Sequence, residues 1–96
     1  MDVRLHDEAV AEARSAREWY EARNPTAAFA FFVELDRAVD LIAESPGRYP
    51  AYVLGTRRYL MRRFPFSVIY RVESDHVLIV ALAHAKRRPG YWRKRR

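Results

Sequence analysis

His84 is the best titratable candidate for chemistry in the second half of the chain. An unperturbed histidine titrates at about pH 6.5, so it can donate or accept a proton at neutral pH. His84 ends an apolar run, and the end of a strand is a suitable place for a site residue. The alternative is that its ring only makes a hydrogen bond at the edge of a sheet.

The other candidate ligands do not support a metal site. His6 lies near the N-terminus and His76 in a predicted turn, so both are expected on the surface. The three histidines are too scattered for ligand spacing, and no carboxylate accompanies His84. Because the chain has no cysteine, disulfides, thiol nucleophiles and thiolate sites are excluded. We predict no metal and no other cofactor.

Positive charge is concentrated in the same half of the chain. The net charge is +6, but residues 1–50 carry −4 and residues 51–96 carry +10. Sixteen of the 18 basic residues are arginine, whose planar fork of donors suits phosphates and carboxylates. The second half therefore predicts a polyanion or an acidic protein as partner. Codon preference for arginine would explain the composition, but not the asymmetry between the halves.

The acidic half reads as two helices. Asp7 is a predicted N-cap for a first helix over residues 8–23, which contain no glycine or proline. Asn24-Pro25 ends that helix and starts a second, over Pro25–Glu44, which Ser45-Pro46-Gly47 stops. One apolar stripe follows the second helix at alternating spacings of four and three residues: Ala28, Phe32, Leu35, Val39 and Ile42.

The basic half reads as three strands, rich in β-branched and aromatic residues. They are predicted at Arg57–Phe64, Phe66–Val72 and Val77–His84, and the short connections between them make them antiparallel. Val3–Leu5 is a further short extended segment. Adjacent arginines on the first strand must face opposite sides of the sheet.

These elements predict an α+β fold in which an N-terminal helical hairpin packs on one face of a twisted antiparallel sheet. The other face is expected to be open and basic. We expect residues 1–96 to form one domain, with 93–96 as a flexible basic tail. No run is long and apolar enough to span a bilayer, and no signal peptide is visible, so no membrane association and a cytoplasmic location are expected.

Two clusters of aromatic residues are candidates for contacts outside the core. Phe29, Phe31 and Phe32 cannot all face one sheet, since they spread over about 300° of a helix. At least one should be exposed or meet a partner, unless the loop at 46–56 folds over it. Tyr91-Trp92 is expected to pack back on the domain, with stacking on nucleic-acid bases as the alternative.

Four segments, taken together and in order, closely resemble the RelE/ParE toxin superfamily. They are ESPGRYP at 44–50, RRYLMRRFPF at 57–66, IYRV at 69–72 and HAKRRPGYW at 84–92. The resemblance covers nearly the whole chain. It implies a pair of helices on a twisted antiparallel sheet that a short N-terminal strand joins, and Val3–Leu5 matches that strand.

The resemblance also implies a function. Members are toxins of type II toxin–antitoxin modules, often called plasmid stabilisation proteins, and a cognate antitoxin wraps and inhibits them in a complex of higher order. ParE-like members poison DNA gyrase by binding it. RelE-like members are metal-independent endonucleases that cut mRNA on the ribosome. A third possibility is a chain that binds its antitoxin but has lost toxicity.

Residue by residue, the match to the RelE-like pattern is incomplete. Ser67 stands where that pattern has an arginine early in the middle strand, and the spacing to the C-terminal aromatics is shorter. We therefore predict ParE-like inhibition, with the endonuclease as the alternative. The endonuclease would use Arg87, His84 and Tyr91. Target contacts are predicted at Arg57, Arg58, Arg62, Arg63, Lys86, Arg88 and Trp92, and antitoxin contacts at Phe29, Phe31 and Phe32.

Overall fold

The computed structural model describes all residues from 1 to 96 and begins with a short strand, β1 (Val3–Leu5), followed by helix α1 (Asp7–Arg23). His6, not Asp7, is the N-cap of α1, because its Nδ1 accepts a hydrogen bond of 3.0 Å from the backbone N–H of Glu8. Asp7 and Glu8 instead lie in the first turn, where they complement the helix dipole. His6 is half-buried rather than a free surface residue.

Asn24 separates α1 from helix α2 (Pro25–Glu44), as the sequence predicts. Its side-chain oxygen accepts hydrogen bonds from the backbone N–H groups of Thr26 and Ala27, at 3.1 and 3.3 Å. Pro25 occupies the first turn, where its missing N–H costs nothing. The two helices therefore form the expected hairpin.

The remaining elements are strands β2 (Arg57–Leu60), β3 (Phe66–Val72) and β4 (Val77–His84). They form one sheet in the order β1-β4-β3-β2. β2, β3 and β4 are antiparallel as predicted, but β1 pairs with β4 in parallel, so the sheet is mixed. Strand β2 is also shorter than predicted. The backbone N–H of Arg62 leaves the ladder and donates to the carboxylate of Glu34.

The main core lies between the helices and one face of the sheet. Val68 and Tyr70 of β3 are fully buried there, against Phe31 and Ile42 of α2. The predicted stripe on α2 was wrong at one position, because Phe31 is buried and Phe32 is exposed. The buried side of α2 is lined by Ala28, Phe31, Leu35, Ala38 and Ile42.

The second face of the sheet is not open, contrary to the prediction. A register shift between β3 and β4 places Tyr70 opposite Ile79 and Ile69 opposite Ala81, which leaves Val80 as an extra residue in β4. The C-terminal segment, residues 87–96, returns to this face, and Trp92 with Tyr91 and Tyr52 covers Ile69, Val80, Ala81 and Ala83 there. Neither helix of the structure combines the length and the apolar character needed to cross a membrane.

Candidate functional site

Trp92 closes the second face of the sheet. Its side chain is 2 % exposed and forms a cluster with four sheet residues, and its ring stacks on Tyr52 with 5.8 Å between centroids. Gly90, with φ of +86°, makes the turn that brings the aromatic pair back onto the sheet. Packing is thus the observed role, and the buried indole does not serve as a contact for a target. The four sheet residues are Ile69, Val80, Ala81 and Ala83.

Tyr91 joins the C-terminal segment to α1. Its hydroxyl donates a hydrogen bond of 2.7 Å to Oε2 of Glu12, and Arg95 binds both oxygens of that carboxylate at 2.8 and 3.0 Å. The guanidinium of Arg87 stacks on the Tyr91 ring, 3.8 Å from the centre of the ring. The predicted free tail at 93–96 was therefore wrong for Arg95, which is fixed to the first helix.

The environment of Tyr91 keeps its hydroxyl protonated. Burial raises the pKa of Tyr91, and the hydrogen bond to the Glu12 carboxylate and that group's negative charge raise it further. The same carboxylate also raises the pKa of Arg95, although burial acts on the two groups in opposite directions. Burial alone would lower the pKa of Arg95, but the hydrogen bond and charge of Glu12, together with Tyr91 and Glu8, outweigh burial and raise the pKa. This group of residues is therefore a satisfied ion pair with a bound phenol.

His84 lies at the end of β4 and is half-buried. Its Nδ1 accepts a hydrogen bond of 3.0 Å from the backbone N–H of Lys86, and its ring packs edge-on against Phe66 with 5.0 Å between centroids. The sequence analysis gave a hydrogen bond at the edge of the sheet as the alternative role of His84, and the ring makes such a bond here. His84 and Arg87 both line a groove of about 680 Å³ between α1 and β4.

The arginines predicted to contact a target divide into separate groups. Arg57 donates to the carbonyl of Tyr49 at 2.6 Å, while Arg58 stacks over Tyr52 at 4.1 Å. Arg62 and Arg63 follow β2 in the turn and are exposed. Lys86 and Arg88 are exposed in the segment after β4. Arg57 therefore holds the loop before β2, Arg58 stacks on an aromatic ring and Arg63 pairs with Glu34. The side-chain charges of Arg62, Lys86 and Arg88 are exposed and available to a partner.

A groove runs between α2 and β2 and carries much of this free charge. Its volume is about 980 Å³. Its apolar lining includes Val33, Leu41 and Leu60, and Leu60 is 62 % exposed. The one acid in its lining, Glu34, is already bound to the chain after β2. Five arginines line its sides: Arg37, Arg48, Arg58, Arg62 and Arg63. The groove suits a segment with apolar and acidic side chains.

The three phenylalanines of α2 separate as the helix geometry requires. Phe31 is 1 % exposed and lies in the core, so it is not a contact for another protein in this fold. Phe29 and Phe32 are 70 % and 54 % exposed. Val33, which is also exposed, lies one helical turn beyond Phe29 and lines the groove beside β2. The two exposed phenylalanines therefore extend the apolar part of that groove along α2.

Glu12, Glu34 and Arg95 escaped the sequence analysis, although each holds distant parts of the chain together. Glu12 and Arg95 are 83 residues apart. Glu34 accepts bonds from backbone N–H groups of Arg62 and Arg63, and it forms a 3.7 Å ion pair with the Arg63 side chain. No local pattern marks such residues. The one related signal in the sequence is the asymmetry of charge between the acidic first half and the basic second half.

Comparison with known proteins agrees with this architecture. A family model described as the ParE toxin of the type II toxin–antitoxin system, parDE, matches residues 3–89. A chain of the solved "Chromosomal ParDE TA system from P. aeruginosa" has the same fold, with a TM-score of 0.77 at 20 % identity, over 88 % of this chain and 95 % of that one. No curated protein matches the chain significantly. Because the family model spans nearly the whole chain, the protein belongs to the ParE toxin family of type II toxin–antitoxin systems.

Proposed function

We propose that this chain inhibits growth by binding DNA gyrase, rather than by cutting mRNA, and that a cognate antitoxin neutralises it. The observation that carries the first part is the hydrogen bond between Tyr91 and Glu12. It fixes the C-terminal segment over the sheet face on which a nuclease site would have to form. The family membership supports the toxin role, and the gyrase target follows the ParE-like branch of the resemblance.

The chemistry of the covered face argues against the endonuclease. Cleavage of RNA without a metal needs a base for the 2′-hydroxyl, an acid for the leaving oxygen and cations on the phosphate. Tyr91 has a raised pKa and donates to a carboxylate, so it is a poor base. Ser67, at the position of the missing arginine, is buried. Arg58, His84 and Arg87 remain beside a small cavity on this face, but Arg58 stacks on Tyr52 and Arg87 stacks on Tyr91.

The proposed antitoxin site is the exposed apolar part of α2 with the adjoining groove beside β2. Exposed apolar patches that adjoin a charged surface are typical of protein interfaces. An antitoxin segment that buried Phe29 and Phe32 would continue past Val33 into the arginine-lined groove. Acidic side chains of that segment would pair with arginines such as Arg62. Neutralisation would then follow because the antitoxin covers the charges that meet the target.

The competing mechanism is tested in a reconstituted translation system. Purified chain is added, the 3′ ends of the mRNA are mapped, and a control omits the ribosomes. We expect intact mRNA and normal protein yield. New 3′ ends in the ribosomal A site that require ribosomes would contradict the proposal and establish the endonuclease. In that case Arg87→Ala should abolish cleavage while antitoxin binding survives.

The possibility of a non-toxic chain is tested by expression. Induction of the chain in bacteria without an antitoxin should stop growth, and co-expression of the partner from the same module should restore it. Normal growth at a protein level confirmed by immunoblot would contradict the toxin role.

A further inference from the structure

The outer edge of β4 is only partly covered by another strand. β1 pairs with Val77–Ile79, and the last backbone contact is the N–H of His6 to the carbonyl of Ile79 at 2.9 Å. The chain then turns into α1, while β4 continues as far as His84. Residues 80–84 therefore form a strand edge with no neighbouring strand. Such edges are templates for pairing with an extended segment of another chain.

Two side chains take the hydrogen bonds that an added strand would make. Oε1 of Glu12 accepts from the backbone N–H of Leu82 at 3.0 Å, and Nη1 of Arg95 donates to the carbonyl of Val80 at 3.0 Å. A carbonyl and the N–H two residues further on point to the same side of a strand, where a neighbouring strand bonds them. Glu12 supplies the acceptor, and Arg95 supplies the donor, that the backbone of a neighbouring strand would otherwise provide.

The same two side chains bind each other, which makes them act as a unit. Both contacts of the Arg95 guanidinium to the carboxylate are 3.0 Å or shorter, and the side chains are only 12 % and 18 % exposed. Two-pronged pairs of this kind are among the stronger hydrogen bonds in proteins. Arg71 of β3 also donates to the backbone carbonyl of Arg95 at 3.1 Å, which holds the C-terminal segment in place.

We propose that Glu12 and Arg95 form a cap on the edge of β4, standing in place of a fifth strand. The two side chains act together, since Arg95 holds in place the Glu12 carboxylate that accepts from the N–H of Leu82.

Native-state hydrogen exchange, followed residue by residue by NMR, tests the cap. Arg95→Gln should raise the exchange rate of the Leu82 amide at least about tenfold, because Leu82 becomes accessible without global unfolding. The amide of Ile69, in the neighbouring strand, should keep its rate. Arg93→Gln is the matched control, since Arg93 is an exposed arginine of the same segment, and it should leave both rates unchanged.

Two results would overturn the proposal. An unchanged Leu82 rate in Arg95→Gln would mean that the pair does not protect the edge. Equal acceleration at Leu82 and Ile69 would mean that the edge opens only with the whole fold. If Arg95→Gln does not fold, Arg95→Lys replaces it. That variant keeps the charge but loses the two-pronged contact, and it should raise the Leu82 rate selectively by a smaller factor.

Discussion

The hydroxyl of Tyr91 donates a hydrogen bond of 2.7 Å to Oε2 of Glu12, so the end of the chain is joined to the first helix across 79 residues. This contact decides which face of the sheet is available. With Trp92 buried beside it, the C-terminal segment is part of the packed structure rather than a basic arm. The exposed side of α2 and the arginine-lined groove beside β2 remain open to partners.

Alkaline pH should destabilise the fold through its buried tyrosines. Burial raises the pKa of Tyr20 and Tyr70, and burial together with Glu12 raises that of Tyr91. Above about pH 10, where tyrosines of the unfolded chain ionise, the native state holds more protons than the unfolded state. The free energy of unfolding should therefore fall as pH rises past that value. Urea titrations between pH 8 and 11 measure it.

A matched variant assigns this effect. Tyr91→Phe removes one of the raised groups, so its unfolding free energy should depend less steeply on pH than that of the wild type. Identical slopes in the two proteins would show that Tyr91 does not hold its proton more tightly in the native state.

Trp92→Ala should destabilise the chain by about 3–5 kcal/mol, the usual range for loss of a buried large aromatic side chain. Trp92→Phe should lose less than half as much. Its smaller ring still fills most of the site, and the buried indole N–H has no hydrogen-bond partner to lose. Thermal unfolding by circular dichroism measures both.

The matched control for this pair is Trp19→Ala. Trp19 is 54 % exposed on α1, so its removal should cost no more than about 1 kcal/mol. A loss for Trp92→Ala as small as that for Trp19→Ala would contradict the packed role of the C-terminal segment.

Glu34→Ala should destabilise the fold by about 1–2 kcal/mol, because the backbone N–H groups that follow β2 lose their acceptor. The amide of Arg62 should exchange faster in this variant. Asp36→Ala, an exposed acid on the same helix, should change stability by no more than about 0.5 kcal/mol. Equal effects of the two substitutions would rule out a specific role for Glu34.

Phe29→Ser and Phe32→Ser should each weaken binding to the cognate antitoxin at least about tenfold, since each exposed ring offers apolar area to a partner. Their thermal stability should stay close to that of the wild type. Val10→Ser, an exposed apolar residue on the other helix, serves as control and should bind normally. Isothermal titration calorimetry with the purified antitoxin measures all three. Unchanged affinity in both phenylalanine variants would place the antitoxin elsewhere.

Sequence patterns predicted the elements that are specified locally. Asn24-Pro25 defines the break between the helices, and the runs at Phe66–Val72 and Val77–His84 are strands with the predicted bounds. The parallel pairing of β1 with β4 could not be predicted, because a strand of three residues carries no signal for its direction. The end of β2 at Leu60 depends on Glu34, which lies more than 20 residues earlier in the chain.

The candidate site was predicted only where local geometry determines it. Exposure of at least one phenylalanine on α2 follows from helix geometry alone. The opposed orientation of Arg57 and Arg58 follows from the alternation of side chains along a strand. The sequence could not show which phenylalanine enters the core. It also could not show that the acid for Arg95 comes from Glu12, since a contact between the two ends of the chain leaves no local pattern.

Inhibition of gyrase supercoiling tests the central proposal most directly. Purified chain is titrated into gyrase with relaxed plasmid and ATP, and supercoiled and linear products are separated on a gel. A variant with both Arg62 and Arg63 replaced by Gln serves as a comparison, because it removes two exposed charges of the groove. We predict that the wild type inhibits supercoiling in a dose-dependent manner and that the variant does so less. Full supercoiling activity at a large molar excess of the folded wild-type chain would contradict gyrase as the target.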